Sequence, residues 1–239
     1  MPLSVTVLEV PARFGAIEEQ ARWIDDALAR TPPGEVLVLP ESALTGYVSA
    51  TGSFDLTPFA EPFEGRQLEA LRRIAERAHT TVIGPIVERD GARCFNTEAV
   101  VAPDGAVLAR YRKRHPWFPE LWATPGDLPF PRLQLGGLAC TLAVCFDVHF
   151  LAEEAADVLR QCDVLFFCSA WVDEEYDARP DRLGPLATEF GLFIVNANWG
   201  PGAPPVRGQG GSLVMSPAGK MLARTSARTH RLDLTLDPT

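Results

Sequence analysis

Short apolar runs alternate with amphipathic helical segments in the first part of the chain, and this alternation constrains the fold more than any other feature. The runs Ser4–Val10, Val36–Leu39 and Thr81–Val87 predict three strands. Between them, Ile17–Arg30 and Arg66–His79 carry apolar residues at helical spacing, which predicts two helices with one buried face each. This order of elements is typical of an α/β sheet with helices packed on its faces.

The later part of the chain adds hairpins and then further strands and helices. Two turns rich in Asp and Gly predict hairpins, with strands over Cys94–Ala102 and Ala106–Tyr111. Further predicted elements are the strands Leu138–Phe146, Val164–Cys168, Phe193–Asn198, Ser212–Ser216, Met221–Ala223 and Arg231–Leu236, with helices over Leu151–Gln161 and near Arg182–Phe190. Residues 112–132 and 200–211 are predicted to be irregular. No composition shift divides the chain, so we predict one domain over residues 1–239.

Composition excludes several classes of partner. A net charge of −9 argues against binding to nucleic acid or to an anionic membrane surface. No apolar run approaches the roughly 20 residues that span a bilayer, and the first residues lack the pattern of a signal peptide. The five cysteines are scattered and odd in number, which does not indicate a disulfide framework. We therefore expect a soluble cytoplasmic protein whose partner is a small molecule.

Three polar residues interrupt the ends of predicted strands. Glu41 stands in LPESALTGY, Lys113 in YRKRH and Cys145 in VCFDVHF. Taken singly, they fit a loop carboxylate, a solvated basic run and a small buried apolar residue. Taken together, they supply a base, a cation and a nucleophile at strand ends. The chain has no CxxC, HxH or HExxH pattern, so we predict no metal site.

The position of Cys145 predicts an activated thiol. It ends a predicted strand shortly before a predicted helix, whose dipole favours thiolate. A lysine cation about 4 Å away adds roughly 4 kcal/mol at an effective dielectric constant near 20, which equals about three pKa units. Glu41 opposes this effect if it is charged, but it can instead accept the thiol proton as a general base. A Cys-His pair with His149 is disfavoured, because that residue is predicted to lie where the helix begins.

These three segments together resemble the nitrilase superfamily of carbon–nitrogen hydrolases, in the order of that family's Glu, Lys and Cys boxes. Further family-like pieces are FNTEAVV, ATPGD, CSAW, IVNANWG and GGSLVMSPAGKML, so the resemblance covers nearly the whole chain. It implies an α/β fold built as a four-layer α-β-β-α sandwich of two mixed sheets with outer helices. It also implies a second glutamate before the PGD turn. Glu120 is the only acidic residue between Lys113 and Asp127, so it is the candidate, with a simple loop carboxylate as the alternative.

The resemblance implies a cysteine-dependent amidohydrolase that cleaves the non-peptide C–N bond of a small linear amide and releases ammonia or an amine. Glu41 would be the base, Cys145 would carry a thioester, and Lys113 with the Phe146 N–H would stabilise the oxyanion. No cofactor is implied, and a homodimer or higher homo-oligomer is expected. Nitrile hydrolysis or acyl transfer at the same site, and a catalytically silent binding protein, are the alternatives. The intact Glu41, Lys113 and Cys145 argue against the silent protein.

Aromatic residues near these boxes are predicted to bind substrate. They are Phe146, Trp171, Tyr47 and Trp199, and the alternative for the tryptophans is a place in the core or in an interface. His149 stands where many relatives carry an arginine, which weakens the case for an N-carbamoyl amino acid substrate. The acidic loop Val172–Pro180 either walls the pocket or is solvated. Asp147 matches the family pattern and is predicted to be structural.

Overall fold

The computed structural model describes residues 1–173 and 175–238. Its strands are β1 (Leu3–Leu8), β2 (Pro11–Arg13), β3 (Val36–Val38), β4 (Thr81–Asp90), β5 (Arg93–Val101), β6 (Val107–Arg112), β7 (Leu133–Leu135), β8 (Leu138–Val144), β9 (Val164–Ser169), β10 (Phe193–Asn198), β11 (Gly200–Ala203), β12 (Leu213–Met215), β13 (Met221–Arg224) and β14 (Arg231–Leu236). Its helices are α1 (Ile17–Arg30), α2 (Arg66–Ala78), α3 (Leu151–Glu154), α4 (Ala156–Leu159) and α5 (Arg179–Phe190).

Two mixed sheets of six strands form the centre of the molecule. The first has the order β14-β1-β3-β4-β5-β6, and the second has the order β13-β12-β10-β9-β8-β7. Strands β1, β3 and β4 run parallel, as do β8, β9 and β10, whereas the outer strands pair antiparallel. The predicted pair of mixed sheets is therefore confirmed.

The sheets pack face to face, and the helices cover their outer faces. Between the sheets, Val5 and Val38 of the first sheet share one apolar core with Val144 and Phe166 of the second. Helices α1 and α2 bury their apolar faces on the first sheet. Helices α3, α4 and α5 do the same on the second sheet. This arrangement confirms the predicted four-layer α-β-β-α sandwich.

The predicted strand Leu138–Phe146 is too long, and the correction affects the candidate nucleophile. Strand β8 ends at Val144, and Cys145–His149 form a short 3₁₀ turn instead. The strand ends there because the Asp147 carboxylate accepts the backbone N–H of Val144 at 3.0 Å. Cys145 therefore begins a turn and does not end a strand.

Three other predicted elements differ from the structure. The predicted helix Leu151–Gln161 is two single turns, α3 and α4, which meet at Ala155. Helix α5 starts at Arg179 and not near Arg182, because the Asp177 carboxylate accepts the Arg179 backbone N–H at 3.1 Å. Within the predicted loop 200–211, β11 pairs in parallel with β2, a partner too distant in sequence for a local pattern to reveal. Among the described residues, no helix combines the length and the apolar character needed to cross a membrane.

Candidate active site

Cys145 occupies an unusual backbone conformation directly after strand β8. Its φ is 46°, in the left-handed region that few residues other than glycine adopt. Such strain persists only where surrounding contacts impose it, and it is common at active sites. The thiol is 7% exposed, so this turn presents a nearly buried sulfur.

Asp147 ties the cysteine turn to the segment that follows β6. Besides the Val144 N–H, its carboxylate accepts the Tyr111 hydroxyl at 2.8 Å and the backbone N–H groups of Arg114 and His115 at 3.1 and 2.9 Å. These bonds join the two sheets beside Lys113. The predicted structural role of Asp147 therefore has a geometric basis.

The predicted base, cation and second glutamate form one buried network. Lys113 Nζ donates hydrogen bonds to Glu41 Oε1 at 2.7 Å and to Glu120 Oε2 at 2.6 Å. The three residues are no more than 1% exposed. Buried charges are tolerated only when they are paired and hydrogen-bonded, and this network satisfies that condition.

Asn96 completes this network, and the sequence analysis did not identify it as a site residue. Its Nδ2 donates to Glu41 Oε1 at 2.7 Å and to Glu120 Oε1 at 2.9 Å. The only signal in the sequence is a polar residue within the family-like piece FNTEAVV of β5. A single buried amide thus holds both carboxylates in place.

The backbone N–H of Ala170 orients Glu41 at the cavity that Cys145 lines. Ala170 directly follows strand β9, and its N–H donates to Glu41 Oε2 at 2.8 Å. Ala170 and Cys145 line the same cavity, and the charge of Glu41 acts on the thiol. The residue that follows β9 therefore supplies the backbone donor that orients the Glu41 carboxylate near Cys145.

The prediction that Cys145 is a thiolate is wrong, because its surroundings favour the thiol. Burial, together with the charges of Glu41 and Glu120, raises the pKa of the thiol above its usual value, and Lys113 only partly opposes this. The helix dipole argument fails because the following helix α3 is a single turn of 4 residues. The resting cysteine is a thiol, so a base must take its proton when it reacts.

The lysine and the second glutamate respond to the same burial. Burial alone lowers the pKa of Lys113, but the charges of Glu120 and Glu41 outweigh it, so the net pKa is raised and the ammonium is permanent. Burial raises the pKa of Glu120, with Lys113 opposing the shift. The site therefore holds one fixed cation between two carboxyl groups.

A cavity of about 360 Å³ leads from Cys145 to the surface. Among its lining residues, Cys145 and Ala170 are buried, whereas His149, Arg182 and Glu175 are exposed. Since the thiol and the protein surface meet in one space, a small solute can reach the sulfur.

The four aromatic residues predicted to bind substrate separate into two pairs. Phe146 and Trp171 line the cavity together with Trp117. Tyr47 and Trp199 instead lie in an adjoining aromatic cluster, where Tyr47 stacks on Trp117 at 6.4 Å and meets Trp199 edge to face at 5.5 Å. The roles of all four residues in substrate binding stay predictions.

The acidic loop borders the mouth of the cavity. Val172, Glu175, Tyr176 and Ala178 line it, and residue 174 of this loop lies outside the described residues. His149 lines the same mouth, where burial and the Arg182 charge lower its pKa. Within residues 1–173 and 175–238, no group of three His, Cys, Asp or Glu side chains is arranged to hold a metal ion.

Comparison with known proteins agrees with this fold and identifies the family. A sequence model of the carbon-nitrogen hydrolase family matches residues 13–236. An omega-amidase from Pongo abelii is 27% identical over 215 residues, covering 82% of this chain and 74% of that protein. A 2-oxoglutaramate amidase from Bacillus subtilis (strain 168) is 24% identical over 229 residues, covering 93% of this chain and 86% of that protein.

Solved structures give the same result. An amidase from Nesterenkonia sp. superposes with a TM-score of 0.83 at 27% identity, covering 98% of this chain and 90% of that one. A CN-hydrolase superfamily protein from Xanthomonas campestris superposes with a TM-score of 0.86 at 19% identity, covering 99% and 91%, and supports the fold. The chain belongs to the carbon–nitrogen hydrolase family of the nitrilase superfamily. It is a hydrolase of C–N bonds other than peptide bonds, and its relatives support an amidohydrolase.

Proposed function

We propose that the protein hydrolyses a small linear amide to a carboxylic acid and ammonia or an amine, through a thioester on Cys145. The observation that carries this proposal is the buried carboxylate of Glu41, which Lys113 and the Ala170 N–H hold near Cys145 at the inner end of the cavity. A protonated thiol beside a buried carboxylate is the arrangement that general-base activation of a nucleophile requires.

In the acylation step, Glu41 takes the proton from Cys145 as the sulfur forms a bond to the amide carbon. Among the described residues, Glu41 Oε2 accepts only the Ala170 N–H, so a lone pair is left for the thiol proton. The carbonyl π electrons move to the oxygen and form an oxyanion. Glu41 then gives its proton to the amide nitrogen, and the C–N bond breaks to leave the thioester.

In this proposal, Lys113 stabilises that oxyanion. An ammonium group has three N–H donors, and two of them are donated to Glu41 and Glu120. The third can point to the developing negative charge. The Phe146 N–H is a second donor for this role, because the second residue of a 3₁₀ turn has no acceptor for its N–H within the turn.

Hydrolysis of the thioester reverses the sequence with water in place of the amine. Glu41 removes a proton from water as the water oxygen forms a bond to the acyl carbon. The second tetrahedral intermediate collapses, the C–S bond breaks, and the sulfur regains the proton from Glu41. The acid leaves, and the thiol returns to its resting protonated form.

Glu120 acts in this scheme as a positioning residue. Its two carboxylate oxygens accept three hydrogen bonds, from Asn96, from Lys113 and from the Trp117 backbone N–H at 2.6 Å. These donors leave it poorly placed to move a proton. Its charge and geometry instead hold the Lys113 ammonium beside Glu41.

The relatives support the chemistry. In a mutant of the amidase from Nesterenkonia sp., the acetamide moiety of fluoroacetamide is covalently added at the active-site cysteine. Another mutant of that enzyme was solved in complex with acrylamide. Both compounds are small linear amides, of the size that a cavity of about 360 Å³ admits.

The test compares Cys145→Ala with Cys162→Ala, measuring ammonia released from butyramide and similar amides. Cys162 precedes β9 and Ala170 follows it, so the control cysteine lies at the opposite end of that strand from the site. We expect Cys145→Ala to lose turnover by at least about 10³-fold and Cys162→Ala to retain it. Added hydroxylamine should divert the acyl group to a hydroxamate in the wild type. Amidase activity in Cys145→Ala at the wild-type rate would contradict the proposal.

A further inference from the structure

The mouth of the cavity carries two opposite charges that form no ion pair with the described residues. Arg182 of α5 and Glu175 of the preceding loop both line it, and both are exposed. No ion pair joins either side chain to another described residue, although many other charged groups of the protein are paired. Arg207 donates to the main-chain carbonyl of Glu175. A solute in the cavity can therefore meet a free guanidinium and a free carboxylate together.

Among the described residues, the remaining lining of the mouth adds no further charge. His149 faces Arg182, and burial together with that charge lowers its pKa, so the imidazole is neutral at pH 7 and serves as a hydrogen-bond partner. Trp171 and Tyr176 line the same space, and aromatic faces attract ammonium groups. The walls deeper in the cavity, such as Trp117 and Phe146, are largely apolar.

From this charge pattern we infer that the substrate is a zwitterionic ω-amide, whose carboxylate binds Arg182 and whose ammonium binds Glu175. The carboxamide would lie at Cys145, and the two charges would lie at the far end of a short aliphatic chain. An amide with one charge would satisfy one of the two residues and leave the other unpaired. This inference rests on the proposed function, since it assigns the part of the substrate that is remote from the reacting carbon.

Four amides that differ only in these two groups test the inference. Glutamine has both groups, γ-aminobutyramide lacks the carboxylate, glutaramic acid lacks the ammonium, and butyramide lacks both. Each exposed charge pair contributes up to about 1 kcal/mol, which is about fivefold in kcat/KM. We expect kcat/KM to be highest for glutamine and lowest for butyramide, with the difference mainly in KM. The difference should shrink as salt is added.

Two variants assign each charge to its residue. Arg182→Gln should remove the preference for glutamine over γ-aminobutyramide, and Glu175→Gln should remove the preference for glutamine over glutaramic acid. Arg22→Gln and Glu189→Gln make the same changes in net charge at exposed positions outside the cavity lining, on α1 and α5. Both controls should keep the wild-type preferences.

The outcomes separate this inference from the proposed function. Equal kcat/KM for glutamine and butyramide, or preferences that neither cavity variant changes, would overturn the zwitterionic substrate and leave the amidase intact. Hydrolysis of butyramide alone would have the same meaning. Failure to hydrolyse any of the four amides would contradict both.

Discussion

Replacing Asn96 by Ala is expected to impair the reaction without removing any group that touches the substrate. Asn96 Nδ2 donates to Glu41 at 2.7 Å and to Glu120 at 2.9 Å. Both carboxylates are 1% exposed, so water does not readily replace the lost donor. The variant leaves the two carboxylates without the amide that separates and orients them.

The size of the effect follows from these contacts. A hydrogen bond to a charged group contributes about 1.5–3 kcal/mol, and losing the one to Glu41 should lower kcat/KM roughly 10- to 150-fold. Loss of this donor destabilises the ionised carboxylates relative to their protonated forms. The acid limb of the pH profile of kcat/KM should therefore move to higher pH.

The assay is the pH dependence of amide hydrolysis for Asn96→Ala and for a matched control, Thr97→Val. Thr97 is the next residue of β5, and its hydroxyl donates to the buried carboxylate of Glu88 at 2.8 Å, on the other face of the strand. The control loses a comparable buried bond outside the site and should keep the wild-type profile. An Asn96→Ala profile that matches the wild type in height and in acid limb would refute the reasoning.

Three further predictions concern buried groups around the site. Burial and the Glu41 charge raise the pKa of Glu98, which Cys168 and Lys113 only partly oppose, so Glu98→Gln should reduce the loss of stability as the pH rises above the usual carboxyl range, as measured by urea unfolding. The raised pKa of Cys145 predicts that iodoacetamide labels it slowly at neutral pH and faster as the pH rises. Asp147→Asn should cost about 2–4 kcal/mol of stability. The carboxylate oxygens of Asp147 accept four hydrogen bonds, and the Asn side chain would put an NH₂ group in place of one of these oxygens.

The sign of the Glu98 prediction follows from proton linkage. The folded protein holds this proton more tightly than the unfolded chain, so stability is greatest at low pH and falls as the pH rises through the usual carboxyl range towards the raised value. Identical pH curves for Glu98→Gln and wild type would contradict the assignment. For Cys145, rapid labelling at pH 6 would contradict a protonated thiol. For Asp147→Asn, unchanged unfolding would show that its bonds are replaceable.

Much of the fold could be predicted because its signals are local. Helix α1 has the predicted bounds Ile17–Arg30, since its apolar positions recur at helical spacing and a run of Thr and Pro follows it. The strand order across each sheet could not be read from periodicity, because pairings such as β1 with β14 join opposite ends of the chain. The four-layer arrangement was predicted from the resemblance to a known family and not from the periodicity of the sequence.

The candidate site divides in the same way. Glu41, Lys113 and Cys145 stood out because each is polar or reactive at the end of an apolar run. Asn96 did not, since its meaning depends on two carboxylates that lie 55 and 24 residues away in sequence. The thiol pKa was expected to fall, but burial dominates, and the extent of burial depends on the packing of both sheets.

The most direct measurement of the thioester mechanism is the intact mass of the protein, acid-quenched during amide turnover, followed by peptide mapping. The mechanism predicts a mass increase equal to the acyl group, located on the peptide that contains Cys145, and no such adduct in Cys145→Ala. Ammonia release by Cys145→Ala at the wild-type rate, or an acyl group on a different residue, would contradict it.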